Sequence, residues 1–337
     1  MKNNQNEKSL DILTEPFKKA LGETTKAMAD SKDLEVSFSS ESTDYNDGNA
    51  RLPQISKKMT LNEILIARGT ADSHAFQQWL QPWIEQGVLQ RWEGVFVTIN
   101  YGEKRDIRAW KEKQPHYVAV PGMNAFGKAL AEGLNVRRKT RVDRLEHTSL
   151  GWSLFAEDNQ LLGSYDWVIL AMPPKQAAAL YSCDGSTQNA LDAVNMQDCY
   201  TLMLGFDSPL DLPYNAAFVN HPDISWIAEN NSKPGRSDAY SIVVQSNHGW
   251  QNQYDEGERE NITAHLIHQA TCVSGADMYQ AVHQALHYWR YASISKQDNA
   301  DVFMSHQRQL AVCGDWQGEG RVESAYVSAM RLLDALP

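Results

Sequence analysis

The chain has 337 residues, with 31 Lys and Arg against 42 Asp and Glu, a net charge of −11 and a pI near 5.4, so a nucleic-acid backbone is not expected as a partner. The length allows two domains, or one large α/β domain with a cap. No apolar run approaches the roughly 18 residues of a membrane span, and Met1-Lys-Asn-Asn-Gln-Asn-Glu-Lys8 leads into no signal core, so a cytoplasmic protein without a membrane partner is expected.

Taken in chain order, Leu10, Leu13, Phe17, Leu21 and Met28 fall at helical spacing, Leu34–Ser39 reads as extended, and the polar run 40–49 reads as loop. Thr60-Leu-Asn-Glu63 is a capping box that opens a helix through Ile64, Leu65 and Ala67. A second helical face runs Phe76, Trp79, Leu80, Trp83, Ile84, with Pro82 predicted to kink or restart it and Gly87 to end it. Strands follow at Trp92–Ile99 and His116–Gly122, then a helix from Asn124 to Leu134 and a strand from Asn135 to Leu145. Gly151–Phe155 and Leu161–Tyr165 read as a hairpin. It leads into Asp166-Trp-Val-Ile-Leu-Ala171, whose apolar run suits a strand buried on both faces of a parallel sheet. Residues 200–290 mix strands, Tyr200–Phe206 and Tyr240–Gln245 among them, with a helix from Glu256 to Cys272, and the last helix spans Val322–Ala335.

The most informative stretch is Leu310-Ala-Val-Cys-Gly-Asp-Trp-Gln-Gly-Glu-Gly-Arg-Val-Glu-Ser-Ala325: a short apolar strand, a Gly-Asp turn, a glycine-rich loop and a helix start. It has the form of a closing flavin site. The opening counterpart, a Gly-x-Gly-x-x-Gly turn between strand and helix, occurs nowhere among the 20 glycines. The four cysteines, Cys183, Cys199, Cys272 and Cys313, form no Cys-x-x-Cys pair, so buried thiols are expected. His265 with His268, and His283 with His287, have spacings that could share a helix face, but they lack a third ligand nearby and no metal is expected.

Tyr117-Val-Ala-Val-Pro-Gly-Met-Asn124, Gly151-Trp-Ser-Leu154, Asp166-Trp-Val-Ile-Leu-Ala-Met-Pro-Pro-Lys-Gln-Ala177, Ile224-Ser-Trp-Ile-Ala-Glu-Asn-Asn230, His287-Tyr-Trp-Arg-Tyr-Ala292 and Gly314-Asp-Trp316 occur in one order. With them, the chain from about Phe76 onward resembles the bacterial renalase-like branch of the FAD-dependent amine oxidase superfamily. Residues 1–75, through Ala27–Phe38, Arg51-Leu-Pro53 and Ile64–Ala75, resemble the N-terminal part of the CobT-type cobaltochelatase subunit. The expected architecture is therefore α/β: an incomplete FAD-binding Rossmann-like domain with an inserted antiparallel-sheet substrate or cap domain, preceded by an unrelated helical segment. The FAD side would comprise about 115–180 and 305–337, and the substrate side about 76–114 and 190–300.

The resemblance implies FAD as cofactor. Asp315 leaves a buried strand where ribityl hydroxyls could donate to it, and the N–H groups opening the Val322 helix present positive partial charge to the ring. Gly314, Trp316 and Arg321 complete that end, while Val142 and Ala171 to Pro173 are expected at the adenosine half. On the substrate side Trp226, Trp289 and Tyr291 are expected to form an aromatic wall, with Asn230 and His248 as polar contacts. The structural alternative is that these aromatics are core residues. The implied chemistry is oxidation of a small molecule, a dihydronicotinamide-like compound or an amine, with dioxygen reduced to hydrogen peroxide and no acid–base residue obligatory. The absent glycine turn predicts weak FAD binding. A cobaltochelatase-related fragment and a noncatalytic fusion or truncation product are the alternatives.

Overall fold

The computed structural model describes residues 73–336 apart from 103–105, 111–114, 181–184, 249–257 and 295–302. The elements expected between residues 10 and 67, and Cys183, lie outside the described residues. In chain order the elements are α1 (His74–Glu85), β1 (Leu89–Arg91), β2 (Phe96–Asn100), β3 (Asp106–Ala109), β4 (Tyr117–Ala119), α2 (Asn124–Leu130), β5 (Arg144–Thr148), β6 (Gly151–Phe155), β7 (Leu161–Tyr165) and β8 (Val168–Ala171). They continue as α3 (Pro174–Leu180), α4 (Gly185–Ala193), β9 (Gln197–Gly205), β10 (Ala216–Asn220), β11 (Ile224–Glu229), β12 (Ser241–Ser246), α5 (Arg259–Ser274), β13 (His283–Ser293), β14 (Phe303–Ser305), β15 (Leu310–Cys313) and α6 (Val322–Ala335). Two compact units are drawn from them: one from Lys128–Asn195 and Lys296–Pro337, the other from Leu61–Gly127 and Met196–Ser295.

The second unit is built on a seven-stranded sheet in the order β13-β9-β12-β11-β10-β2-β3. All its pairs are antiparallel except β10 with β2. One face carries Val97, Ile99, Leu202, Leu204, Ala217, Val219, Ile227, Ile242 and Val244 into one core cluster. Against them α5 lays Ile262, Leu266, Ile267, Ala270 and Val273, the three-to-four spacing of a helix stripe, and Gly275 ends it with φ +77 and its N–H on the Thr271 carbonyl. Each such fully buried aliphatic contributes about 1.5–3 kcal/mol.

The first unit has no sheet of that size among the described residues. Its parallel pair β8 and β15 stands in register from Leu310↔Val168 to Cys313↔Ala171, with β14 antiparallel on the other side of β15. A separate meander, β5-β6-β7, follows the expected hairpin, turned by Asn159 at φ +61 with the Gln160 N–H on Asp158 Oδ1.

Several expectations need correction. α1 runs through Pro82 without a break, because Pro82 falls in its last turn and the Gln86 N–H bonds back to the Pro82 carbonyl; Ser73 caps the start. The strand expected over Trp92–Ile99 begins only at Phe96, and residues 92–95 link it to β1, which ends at Arg91. The strand expected over 135–145 begins only at Arg144: Lys139 sits at φ +59 and Arg137 reaches the Leu162 carbonyl, so the charged run is spent on turns. α2 stops at Leu130, and turns follow to Gly133 at φ +81. His283 and His287 lie on the eleven-residue strand β13, where four residues span about 13 Å, not on one helix face.

Candidate functional site

In the first unit the parallel pairing brings Ala171 and Cys313 side by side, so both strands end together and the chain leaves β15 into Gly314 and Asp315. Trp316 then turns inward. It is 2% exposed, its Nε1 donates to the Met172 carbonyl at 3.1 Å, and its ring packs on Phe303. Trp316 is thus a buried wedge between the two strand ends rather than a surface a ligand could touch. Its closeness also explains Gly314, where a Cβ would stand 2.4 Å from the indole nitrogen.

Two serines one helical turn apart on α6 hold the loop that follows. Ser328 Oγ accepts the Gly314 N–H at 3.0 Å and donates to Gln317 Oε1, and Ser324 Oγ accepts the Glu319 N–H at 3.0 Å. A Cβ on Gly318 would meet Ser324 Oγ at 2.7 Å. Burial pushes the Asp315 carboxyl above the usual carboxylate range, an effect partly offset by the backbone N–H groups of Trp316 and Asp315. α6 begins after Arg321, which is extended and whose own side chain gives no cap. Arg321 pairs with Glu319 at 2.6 Å, and Val322 is exposed. Ala171 is exposed at the end of β8, Pro173 is half-buried ahead of α3, and Val142 is half-buried just before β5.

In the second unit the sheet face opposite α5 carries a row of six residues from six strands. Register pairs Thr98 with Phe218, Phe218 with Trp226, Trp226 with Gln245, Gln245 with Thr201 and Thr201 with His287. Directly paired residues share a face, so the row is continuous. Trp110 Nε1 donates to Thr98 Oγ1 at 2.8 Å and Trp289 Nε1 to Thr201 Oγ1 at 3.0 Å, whereas the buried Trp226 Nε1 meets no acceptor among the described residues. Trp226 lies 6.4 Å from Trp110, which stacks on Phe96, and His116 packs on both Phe96 and Trp110. Burial, with Arg91 adding to it, pulls His116 below the usual histidine range, and burial with Arg259 does the same for His287, favouring neutral imidazoles.

Trp226 and Trp289 therefore lie on one face, as an aromatic wall requires. Tyr291 is half-buried further along β13, where the register slips between Trp289 and Ser293. Asn230 is buried in the turn after β11, where its Oδ1 accepts from Lys233 Nζ at 3.1 Å, and that lysine lies over the Trp92 ring. His248 is exposed beyond the end of β12. Sequence reasoning missed Thr98, Thr201, Gln245 and Trp110, which no motif joins, and Ser324 with Ser328, whose four-residue spacing was a usable signal. Among the described residues no group of three His, Cys, Asp or Glu side chains could hold a metal. His265 pairs with Asp223 at 2.9 Å, and His268 meets Tyr279. No described helix is long and apolar enough to cross a membrane.

A protein from Exiguobacterium sp. 255-15 named "Putative protoporphyrinogen oxidase" superposes with a TM-score of 0.50 at 12% identity, over 65% of this chain and 51% of that chain. Cyclohexylamine oxidase from Brevibacterium oxydans gives 0.47 at 12% identity over 65% of this chain and 53% of its own, and putrescine oxidase bound to putrescine gives 0.46 at 12% over 66% and 53%. The chain spans about half the length of the solved structures it matches. At the other end, residues 13–79 match the family model "Cobalamin biosynthesis protein CobT". That match ends inside α1, four residues past the expected junction at Ala75.

The residues present suit one end of FAD and not the other. Asp315 and the start of α6 offer an acceptor and N–H donors of the kind that a flavin ring and ribityl chain use. No described turn in the same unit offers a diphosphate seat. α3, which follows β8, opens on Pro173-Pro174, two residues without an N–H, and the chain contains no Gly-x-Gly-x-x-Gly.

Proposed function

We propose that the chain is an oxidoreductase of the flavin-dependent amine oxidase type, acting on a small molecule with an oxidisable C–H bond next to nitrogen. The observation that carries this reading is the Asp315 turn at the joint ends of β8 and β15, beside the N-terminus of α6, in a fold shared with such oxidoreductases. FAD is the cofactor the fold implies, and the poor seat for its diphosphate predicts weak retention. Substrates of the class are dihydronicotinamide-like rings or amines: loss of two electrons and one proton would leave the oxidised ring as a pyridinium cation, loss of two electrons and two protons would turn an amine into an imine, and dioxygen would take up the two electrons with two protons, one of them from solvent in the first case, as hydrogen peroxide.

Support on the substrate side comes from the Trp226 face. Three tryptophans, with Thr98, Thr201 and Gln245, share one sheet face and combine apolar area with a few fixed polar groups, the usual composition of a small-molecule site, although Trp226 and Thr201 are buried and Trp226 packs in a core cluster with Trp92 and Val118, so a ligand would meet the half-buried members of the face. The neutral tendency of His116 and His287 leaves that surface without a fixed imidazolium charge. The test is thermal melting of the purified chain with and without added flavin. A rise in the transition with flavin concentration is expected, following the mass-action dependence of ligand stabilisation. A transition indifferent to every flavin tried removes the reading.

The match of residues 13–79 favours a second reading, in which a cobalamin-biosynthesis segment has been joined to an oxidoreductase remnant that has no activity. Transcript mapping across codons 75 and 76 separates a joined message from an assembly error.

A further inference from the structure

One stretch of this acidic chain is strongly basic, and nothing in the flavin reading uses it. Residues 135–144 hold five cations and one carboxylate, in a chain of net charge −11. We propose that the solvent face of the β5-β6-β7 meander, with the basic turn that leads into it, is the docking surface for an acidic segment of this same chain, residues 33–47, which lies outside the described residues. The proposal does not rest on the flavin reading.

The turn is fastened to the meander, so its charges are held in place. Arg137 donates to the Leu162 carbonyl of β7, and the Asp143 N–H donates to the Phe155 carbonyl of β6 at 2.9 Å. Lys139 sits at φ +59, a left-handed backbone that glycine or asparagine adopts at less cost, and such an outlier points to a use for the side chain. Arg138 and Lys139 are exposed, and no described group pairs with either side chain. Arg141 is exposed too and only loosely paired, 3.8 Å from Asp143. Beside the turn, register sets Arg144 opposite Phe155 and Phe155 opposite Leu161, so the three share one face of the meander. The Arg144 guanidinium stands 4.1 Å over the Phe155 ring, and Leu161 is 54% exposed. Glu146, the carboxylate next along that face, is engaged by Arg144. The surface is therefore a group of cations beside an apolar strip.

Residues 33–47 match it on both counts. Leu34, Val36 and Phe38 alternate with Glu35 and Ser37, the period-two pattern that gives an extended chain one apolar side. From Asp33 to Asp47 the segment carries five carboxylates and no Lys or Arg. With Leu34, Val36 and Phe38 laid against Phe155 and Leu161, the acidic run from Glu41 to Asp47 meets the turn at Arg138, Lys139 and Arg141. The 25 residues from 48 to 72 can extend to about 85 Å, so the tether to α1 permits this. Exposed ion pairs are individually weak, but a tethered segment stands at millimolar effective concentration, where several of them acting together suffice.

The test is zero-length carbodiimide crosslinking of the full chain at low ionic strength, which joins a carboxylate to an amine touching it, read by peptide mass spectrometry. Lys139 is expected to join Glu41, Asp44 or Asp47, with a yield that falls about threefold or more in roughly 0.5 M salt. Arg138→Glu with Arg141→Glu, which keeps the reactive amine, should cut that yield by about fivefold. Leu161→Ser, which leaves every charge in place, should cut it by about twofold. The salt dependence of the parent chain decides the matter if a variant fails to fold. A yield indifferent to salt overturns the proposal, as does a Lys139 joined only to carboxylates of the described residues, or joined to those of residues 7–30 as often as to those of 41–47. Crosslinks that run mainly between chains, in a mixture of isotope-labelled and unlabelled protein, overturn it as well and make a second copy the occupant.

Discussion

The two units differ in how their sheets are protected. In the second, seven strands and α5 bury one continuous cluster in which Leu202, Leu204, Ile227, Ile242, Ile262 and Leu266 are all fully inaccessible. In the first, the parallel pair β8 and β15 is small, its buried residues are spread over shorter elements (Trp152, Leu170, Ala177, Leu310, Val312), and single devices add to it: the Trp316 wedge and the Ser324 and Ser328 clamps. Broad apolar burial tolerates the loss of one contact better than a structure hung on individual hydrogen bonds does. The unit with the robust core carries the tryptophan face, and the candidate flavin end sits in the delicate one.

The largest expected effect comes from breaking each unit at its centre. Leu202→Ala should cost about 2–5 kcal/mol and Trp316→Ala about 3–5 kcal/mol. If the units are as different as described, denaturant unfolding shows two transitions, with Trp316→Ala moving the earlier and Leu202→Ala the later. A single transition moved by both substitutions would show that they unfold together.

Next comes Ser328→Ala, which strips the Gly314 N–H of its acceptor and buried Gln317 of its donor and should cost about 1–3 kcal/mol. Differential scanning calorimetry should show that loss in the earlier transition alone.

A smaller effect concerns pH. The folded pKa of Asp315 is raised, so the carboxyl is best accommodated when protonated, and its burial costs stability progressively as pH rises from its ordinary value of 3.8 through the raised one. Asp315→Asn should therefore melt higher than the parent at neutral pH. The difference should shrink as pH falls and vanish below the ordinary value, where the acid is neutral in both folded and unfolded chains. It should also weaken flavin binding if the carboxylate accepts from the ligand. A melting difference independent of pH would contradict the assignment.

The smallest effect is a labelling order. Burial pushes Cys199 up to about 12 and Cys313 up to about 11, so neither thiol offers a nucleophile at pH 8, whereas Cys272 is partly exposed on α5. Iodoacetamide should label Cys272 in the native protein. As denaturant rises, Cys313 should label before Cys199, as peptide mass spectrometry would reveal, because it belongs to the less protected unit.

Much of this architecture was legible in the residues, and the misses have definite causes. Val168–Ala171 and Leu310–Cys313 read as buried strands because their apolar runs are uniform and bounded by turn residues; they pair in parallel, but only Leu310–Cys313 is buried throughout, because Val168–Ala171 lies at the sheet edge with alternating burial and Ala171 exposed. β13 escaped notice because it is half-buried along its length, so no clean alternation marks it, and its histidines four apart mimic helical spacing. Residues 135–143 mimicked a strand because isolated valines lie among charges, but no apolar face exists there to bury. Trp226 and Trp289 could be singled out from local motifs. Their neighbours Thr98 and Thr201 could not, since Thr98 and Thr201 are more than 100 residues apart and share one face only through four successive strand pairings.

By itself the sequence determined the mixed α/β class, the buried strands, the Gly-Asp turn with its helix, and the absence of a second glycine turn, because each depends on residues adjacent in the chain. Tertiary structure decided which side chains are free to meet a ligand. It turned Trp316 inward as a wedge, tied up the loop N–H groups of Gly314 and Glu319 on two serines and those of Gly318 and Gly320 on the Asp315 carbonyl, and left Trp226 Nε1 without an acceptor among the described residues. Those outcomes depend on strand register and helix docking, which place distant residues together and use up hydrogen-bonding groups in ways that no local pattern records.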